Sequence, residues 1–143
     1  MKTPVTLLTA VAVASLALLQ AAPAHADTWL CDYTGSYTSA GSAGATDFKW
    51  QAHWDTSADG YRIGGQFTDA TGTAIMDGTC KSGKCWASWN YQSGKYAGKK
   101  WYVGGPYADG AGGQSTLTFT WGRSVSDVTS GGTFNASGVC RKQ

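Results

Sequence analysis

The chain has 143 residues and carries 11 basic against 9 acidic side chains, every acid being aspartate. A formal net charge of +2 argues against a strongly basic nucleic-acid binder, so no nucleic-acid partner is expected. Seven tryptophans and 20 glycines, with few good helix formers, favour an ordered and mainly β domain over a helical or disordered chain.

The first 26 residues have the pattern of a secretory signal peptide. Lys2 provides the positive start, residues 5–22 contain no charge, and Ala24-His25-Ala26 forms a small-x-small cleavage site. We therefore expect a leader at 1–26 and one domain at 27–143, exported to the periplasm or the medium, with a bacterial host favoured. No later apolar run has the 18 residues of a membrane span, so none is expected.

Eight short segments of the exported part read as β-strands. In the clearest one, 48–55, Phe48 and Trp50 alternate with Lys49 and Gln51, which is the two-residue period of a half-buried strand. Polar and glycine-rich turns separate the segments, so the sequence predicts an all-β fold, a single antiparallel β-barrel or β-sandwich. The predicted strands cover residues 28–37, 48–55, 61–68, 73–80, 85–92, 100–105, 116–121 and 133–140.

Four cysteines in an exported chain predict two disulfide bonds. Cys80 and Cys85 flank a polar turn, so they would close a hairpin, and the pair Cys31–Cys140 would join the two ends of a closed sheet. A metal site is disfavoured, because there is no Cys-x-x-Cys pair and only one histidine after the leader. We expect neither a metal nor a cofactor.

Catalytic motifs are scarce in this sequence. His53 and Asp55 share one face of a predicted strand and form the one pair suited to acid–base work, but an exposed polar pair on a sheet is the favoured interpretation. No nucleophile elbow, phosphate loop or dinucleotide fingerprint is present. We therefore expect a binding protein rather than an enzyme.

The predicted strand 85–92 offers a binding surface on either face. One face presents Trp89 and Tyr91, and the other combines Trp86 with Asn90, an aromatic ring beside an amide that suits a sugar. If the sheet closes into a barrel, inward aromatic rings line a pocket for a small apolar ligand instead. Trp86 could equally cover the disulfide or fill the end of the core. The candidate ligand-binding residues are Trp86, Trp89, Asn90, Tyr91 and Trp101.

The segment 93–100 is the most distinctive loop, with three lysines and one tyrosine between two predicted strands. Its glycines allow sharp bends, so Tyr96 is expected to project at the tip. A soluble hairpin loop whose charges protect a sheet edge is the simplest interpretation.

The same loop also suggests a protein partner. Ser93, Gly94, Tyr96 and Gly98 resemble the loop that periplasmic lysozyme inhibitors, small exported β-proteins with disulfides, insert into an enzyme's active-site cleft. The likeness covers only these residues, and its second half is shorter than the common form, so the chain is not assigned to that family. It implies an alternative function, a protein inhibitor whose partner-binding loop contains Ser93, Gly94, Lys95 and Tyr96.

Overall fold

Eight antiparallel strands close into a barrel in which each strand pairs with its neighbours in sequence and the last strand pairs with the first. The computed structural model describes residues 27–143, and the predicted signal peptide, 1–26, lies outside the described residues. The strands are β1 (Thr28–Thr38), β2 (Ala45–Ser57), β3 (Gly60–Asp69), β4 (Gly72–Lys81), β5 (Lys84–Tyr91), β6 (Lys100–Asp109), β7 (Gln114–Gly122) and β8 (Gly132–Lys142), with a 3-10 turn at Ala111–Gly113 before β7.

The predicted strands and disulfides are confirmed. Each of the eight predicted segments coincides with one strand, and of the two predicted architectures the barrel is present. Cys31 and Cys140 are opposite residues in the pairing of β1 with β8. Their disulfide therefore links the two strands whose pairing closes the barrel. Cys80 and Cys85 are opposite residues of β4 and β5 and form the second disulfide.

Aromatic side chains fill the middle of the barrel. On β2 the alternation predicted from sequence holds, because Phe48, Trp50, Ala52 and Trp54 are buried inside while Lys49 is exposed. An eight-stranded barrel is just wide enough for such side chains to meet across its axis. The largest fully buried core side chains are Trp50, Trp89, Tyr33, Phe67, Phe119 and Phe134.

The two ends of the barrel differ in their connections. One end, which we call the loop end, carries the four connections that follow the odd-numbered strands. They lie at residues 39–44, 70–71, 92–99 and 123–131. The disulfide end carries the turns at 58–59, 82–83 and 110–113, together with both disulfides. Within the described part of the chain, no helix is long and apolar enough to cross a membrane.

Candidate functional site

A cavity of about 620 Å³ lies at the loop end of the barrel. Trp89 is only 2% exposed and packs on the core ring of Phe67, so it forms the floor of the cavity. The aromatic rings that line this loop-end cavity are Tyr37, Trp89, Tyr91, Tyr96, Trp101 and Trp121.

Packing between strands holds these rings in place. Trp89 and Trp101 are opposite residues of β5 and β6, with ring centroids 5.9 Å apart. Trp121 also lies 5.9 Å from Trp89, and Tyr37 meets Trp89 edge-on at 4.9 Å. The indole N–H of Trp89 is buried without a hydrogen-bond partner among the described residues. The cavity is therefore preformed, and its floor holds an unpaired donor.

Asp69, at the end of β3, positions two of the wall residues. Its Oδ2 accepts hydrogen bonds from the hydroxyls of Tyr37, at 2.8 Å, and Tyr91. Its Oδ1 accepts from the backbone and hydroxyl of Thr71, at 2.7 and 2.6 Å, and from the backbone of Gly72 at 3.1 Å. This one carboxylate therefore joins strands β1, β3 and β5 across the mouth of the barrel.

Burial and hydrogen bonding shift the titration of this network. Burial alone would raise the pKa of Asp69, but the hydrogen bonds donated by Thr71, Tyr91 and Tyr37 lower it below its ordinary value of 3.8. Burial also raises the pKa of Tyr37 and of Tyr91, and the bond to Asp69 raises both further. At neutral pH the carboxylate is ionised and the two phenols are neutral donors.

Trp121, at the end of β7, is held by the loop at 123–131. Its indole N–H donates to the carbonyl oxygen of Thr38 at 2.8 Å. A Cβ atom on Gly131 would lie 2.3 Å from the ring of Trp121, so glycine is needed for this ring to lie flat on the loop. The backbone of Gly131 also accepts from Ala40 at 2.7 Å, which ties the loop to the connection between β1 and β2.

The rim of the cavity is polar. The carboxylate of Asp127 accepts hydrogen bonds from the backbone and hydroxyl of Ser130, and these bonds lower its pKa. Arg123 lies on the same rim and adds to that lowering. The site thus combines ring faces with charged and hydroxyl groups. Its remaining polar lining residues are Ser39, Thr46 and Thr71.

The structure divides the ligand-binding residues predicted from sequence between two sides of the barrel wall. Trp89, Tyr91 and Trp101 meet at the cavity. Trp86 and Asn90 lie on the outer surface of the same strand, where Trp86 is 47% exposed and covers Gly104 rather than the core. The two sides of β5 therefore cannot act as one binding surface.

The loop at 92–99 folds back onto the barrel, so the expectation that Tyr96 projects at its tip is wrong. The ring of Tyr96 packs on Tyr91 and Trp101, at centroid distances of 5.6 and 5.3 Å. Backbone hydrogen bonds join Lys95 to Thr71 at 2.8 Å, and Gly98 to Tyr91 at 2.9 Å. Tyr96 is therefore a wall of the loop-end cavity. The lysine side chains of the loop remain exposed.

The acid–base pair lies elsewhere. His53 and Asp55 are half-exposed on the outer surface of β2, with 3.8 Å between Nε2 and Oδ2, and Asp55 also accepts from Thr28. Across residues 27–143, no three histidine, cysteine or acidic side chains are grouped to hold a metal ion.

The residues of the site that were not predicted from sequence as ligand-binding residues include Tyr37, Trp121 and Asp69, besides the polar groups of the rim. Tyr37 and Trp121 have the alternating phase of inward residues, but that phase does not indicate which end of the barrel they reach. Asp69 follows a strand and precedes Ala70-Thr71-Gly72, a signal that indicates a turn and says nothing of a partner across the barrel.

Comparison with protein-family models, with curated proteins and with solved structures finds no match for this chain. The functional interpretation therefore depends on the site itself. Its main features are a preformed aromatic cavity, a carboxylate that orients two tyrosines, and a charged rim.

Proposed function

We propose that this protein binds the end of a glycan chain in the loop-end cavity and does not transform it. The observation that supports this is the convergence of six aromatic rings, from four strands and one loop, on a cavity with a polar rim. Sugars present both an apolar ring face and hydroxyl groups. Tryptophan and tyrosine rings stack on the first, while guanidinium and hydroxyl groups bind the second.

The size of the cavity suits such a ligand. Small-molecule sites occupy about 300–1,000 Å³, a range that includes the 620 Å³ of this one. A purely apolar ligand is the less favoured occupant, because it would gain nothing from the exposed guanidinium of Arg123 or from the hydroxyls of Ser39 and Thr46. We therefore favour a hydroxylated ring over a lipophilic molecule.

The absence of catalysis is part of the proposal. Asp69 is already saturated by five hydrogen bonds, and the lowered pKa makes it a weak base. Asp127 is likewise held by Ser130. A carboxylate that is fully engaged with the protein orients binding groups, whereas a catalytic acid or base needs a free lone pair or a proton near neutral pH.

A matched pair of tryptophan variants tests the proposal. The purified protein is applied to a glycan array, and affinity for the responding glycan is then measured by calorimetry with Trp101→Ala and Trp86→Ala. We expect about a tenfold or larger loss for Trp101→Ala, because a stacking ring is removed, and no change for Trp86→Ala. If no glycan binds while a lipophilic dye binds the cavity, the glycan proposal is wrong.

An inhibitor of an enzyme such as lysozyme remains the alternative proposal. The exposed lysines of the loop at 92–99 favour it, since they would complement an acidic cleft. Because Tyr96 packs on the cavity, the lysines would make the first contact. Inhibition of a muramidase that is lost when Lys95 and Lys99 are both changed to alanine would support this alternative, and an inert wild-type protein would contradict it.

We also propose export. Two formed disulfides suit an oxidising compartment. Mass analysis of the protein recovered from the periplasm or medium of its host should give a chain that starts at Asp27. A chain that keeps residues 1–26 in the cytoplasm would contradict this proposal.

A further inference from the structure

A second, smaller cavity of about 200 Å³ lies at the disulfide end of the barrel. It is separated from the loop-end cavity by the aromatic core and contributes nothing to the proposed glycan site. The Cys31–Cys140 disulfide forms part of its lining. The other side chains that line this disulfide-end cavity are Trp29, Trp54, Tyr61, Tyr107, Asp109, Gln114 and Ser115.

Three of its rings meet at steep angles. Trp54 lies 5.4 Å from Tyr61 with 75° between the ring planes, and 5.1 Å from Tyr107 with 62°. Tyr61 and Tyr107 are nearly perpendicular, at 86°, with centroids 6.4 Å apart. Rings arranged in this way form a corner, and a group placed in that corner lies within about 6 Å of more than one ring centroid, the range of a cation–π contact.

The corner also has a negative charge at its mouth. Asp109 lies two residues after Tyr107 on β6, so its side chain has the same inward phase, and it is exposed. Burial raises the pKa of Tyr107, and the charges of Tyr61 and Asp109 raise it further, which is consistent with a carboxylate close to the ring. Ring faces and one carboxylate together favour a positively charged ligand.

Two basic side chains at this end, Lys142 and Arg141, are neutralised by carboxylates of their own. Lys142 stands opposite Trp29 in the pairing of β1 with β8, and its ammonium lies 2.9 Å from the carboxylate of Asp27. Arg141 pairs with Asp32, also at 2.9 Å. The charge of Asp109 is therefore not cancelled by either of these cations.

We propose that the disulfide-end cavity binds a quaternary ammonium group, such as the trimethylammonium group of choline. Such a group donates no strong hydrogen bond, so it needs ring faces and a nearby carboxylate rather than a set of acceptors. The small volume fits one head group and is too small for a sugar chain. This site is independent of the glycan proposal, because it uses none of the same residues.

The experiment compares choline with 3,3-dimethylbutan-1-ol, a neutral molecule of the same shape, by NMR titration of the full exported chain. We expect saturable upfield shifts of the choline methyl signals and an affinity about tenfold higher than that of the neutral alcohol, because only the cation gains from the rings and from Asp109. Equal affinities for the two molecules, or no saturable shift of choline, would overturn the proposal.

Variants locate the site. Tyr107→Leu should abolish choline binding, and Asp109→Asn, at an exposed position, should weaken it about threefold or more. Trp101→Ala, which alters the other cavity, is the control and should leave choline binding unchanged. Choline binding that Asp109→Asn leaves intact, or that Trp101→Ala removes, would contradict the assignment. Phosphatidylcholine vesicles form a separate arm, which distinguishes a lipid head group from a free solute.

Discussion

Tyr37 and Tyr91 stand on strands β1 and β5 and donate their hydroxyl hydrogens to the same oxygen atom, Oδ2 of Asp69. In an eight-stranded barrel these two strands lie on opposite sides. The shared oxygen therefore fixes the width of the loop end, where neither disulfide reaches. We infer that this link maintains the width and the shape of the loop-end cavity.

Replacing Asp69 tests that role. Asp69→Asn removes the charge that accepts from Tyr37 and Tyr91, so we expect a loss of about 1.5–3 kcal/mol in the free energy of unfolding, measured with urea at pH 7. Because the pKa of Asp69 is lowered on folding, its stabilisation is present above about pH 4 and is lost as the pH falls through the folded-state value. The variant should lack this acid-dependent loss. Asp47→Asn, exposed on β2, is the control and should behave as the wild type.

The contact of Gly131 with Trp121 predicts a second effect. Gly131→Ala places a methyl group where the ring of Trp121 lies, so the ring must move and lose its hydrogen bond to Thr38. We expect the free energy of unfolding to fall by about 1–3 kcal/mol and ligand binding in the loop-end cavity to weaken. Thermal unfolding measures the first effect, and calorimetry measures the second. Gly44→Ala, where nothing lies within 4 Å, should leave both unchanged. An unaltered Gly131→Ala variant would show that this ring position is unimportant.

The two disulfides should differ in their contribution to stability. In the chain-entropy model, removing Cys31–Cys140, with a separation of 109 residues, costs about 4–5 kcal/mol, and removing Cys80–Cys85 costs about 2 kcal/mol. Paired serine variants and denaturant titration measure both values. Because both bonds lie away from the loop-end cavity, variants that stay folded should keep wild-type ligand affinity, and a large loss of affinity would contradict this separation of the two ends.

The buried phenol of Tyr33 leads us to expect a loss of folding stability at alkaline pH. Burial raises its pKa from 10.0 to about 12, although the hydrogen bond with Ser115 opposes this rise. The unfolded chain ionises first, so this stabilisation is complete well below pH 10, declines as the pH rises through 10, and about 2.7 kcal/mol of it is lost once the pH is above 12. Urea unfolding between pH 8 and 11 should show a smaller decline in Tyr33→Phe than in the wild type. Ser115→Ala keeps the phenol and should retain the decline.

Much of the fold follows from the sequence because the signal is local. A strand repeats every two residues, so the alternation around Trp50 and Trp54 predicts β2 and its buried face. The sequence favours the pairing of Cys31 with Cys140, since a closed or nearly closed sheet brings its first and last strands together, but four cysteines allow three pairings. The choice between barrel and sandwich does not follow, because alternation fixes two faces of each strand but not the path along which strands pair.

The site is less predictable for the same reason. On β5, alternation places Trp86 and Trp89 on opposite faces, but it does not indicate which of them points inward. Both were therefore included among the predicted ligand-binding residues. Tyr96 lies in a loop that has no period at all, and its position depends on rings contributed by other strands. Asp69 joins residues 32 and 22 positions away in sequence, and only the closed barrel brings them together.

The most direct test of the glycan site is an NMR titration of the tryptophan indole N–H signals with the glycan selected on the array. The chain has seven tryptophans, and each gives one such signal. We expect the signals of Trp89, Trp101 and Trp121 to shift and saturate together, while that of Trp86 stays in place. A shift confined to Trp86, or no shift of Trp101 when the glycan is bound, would contradict it.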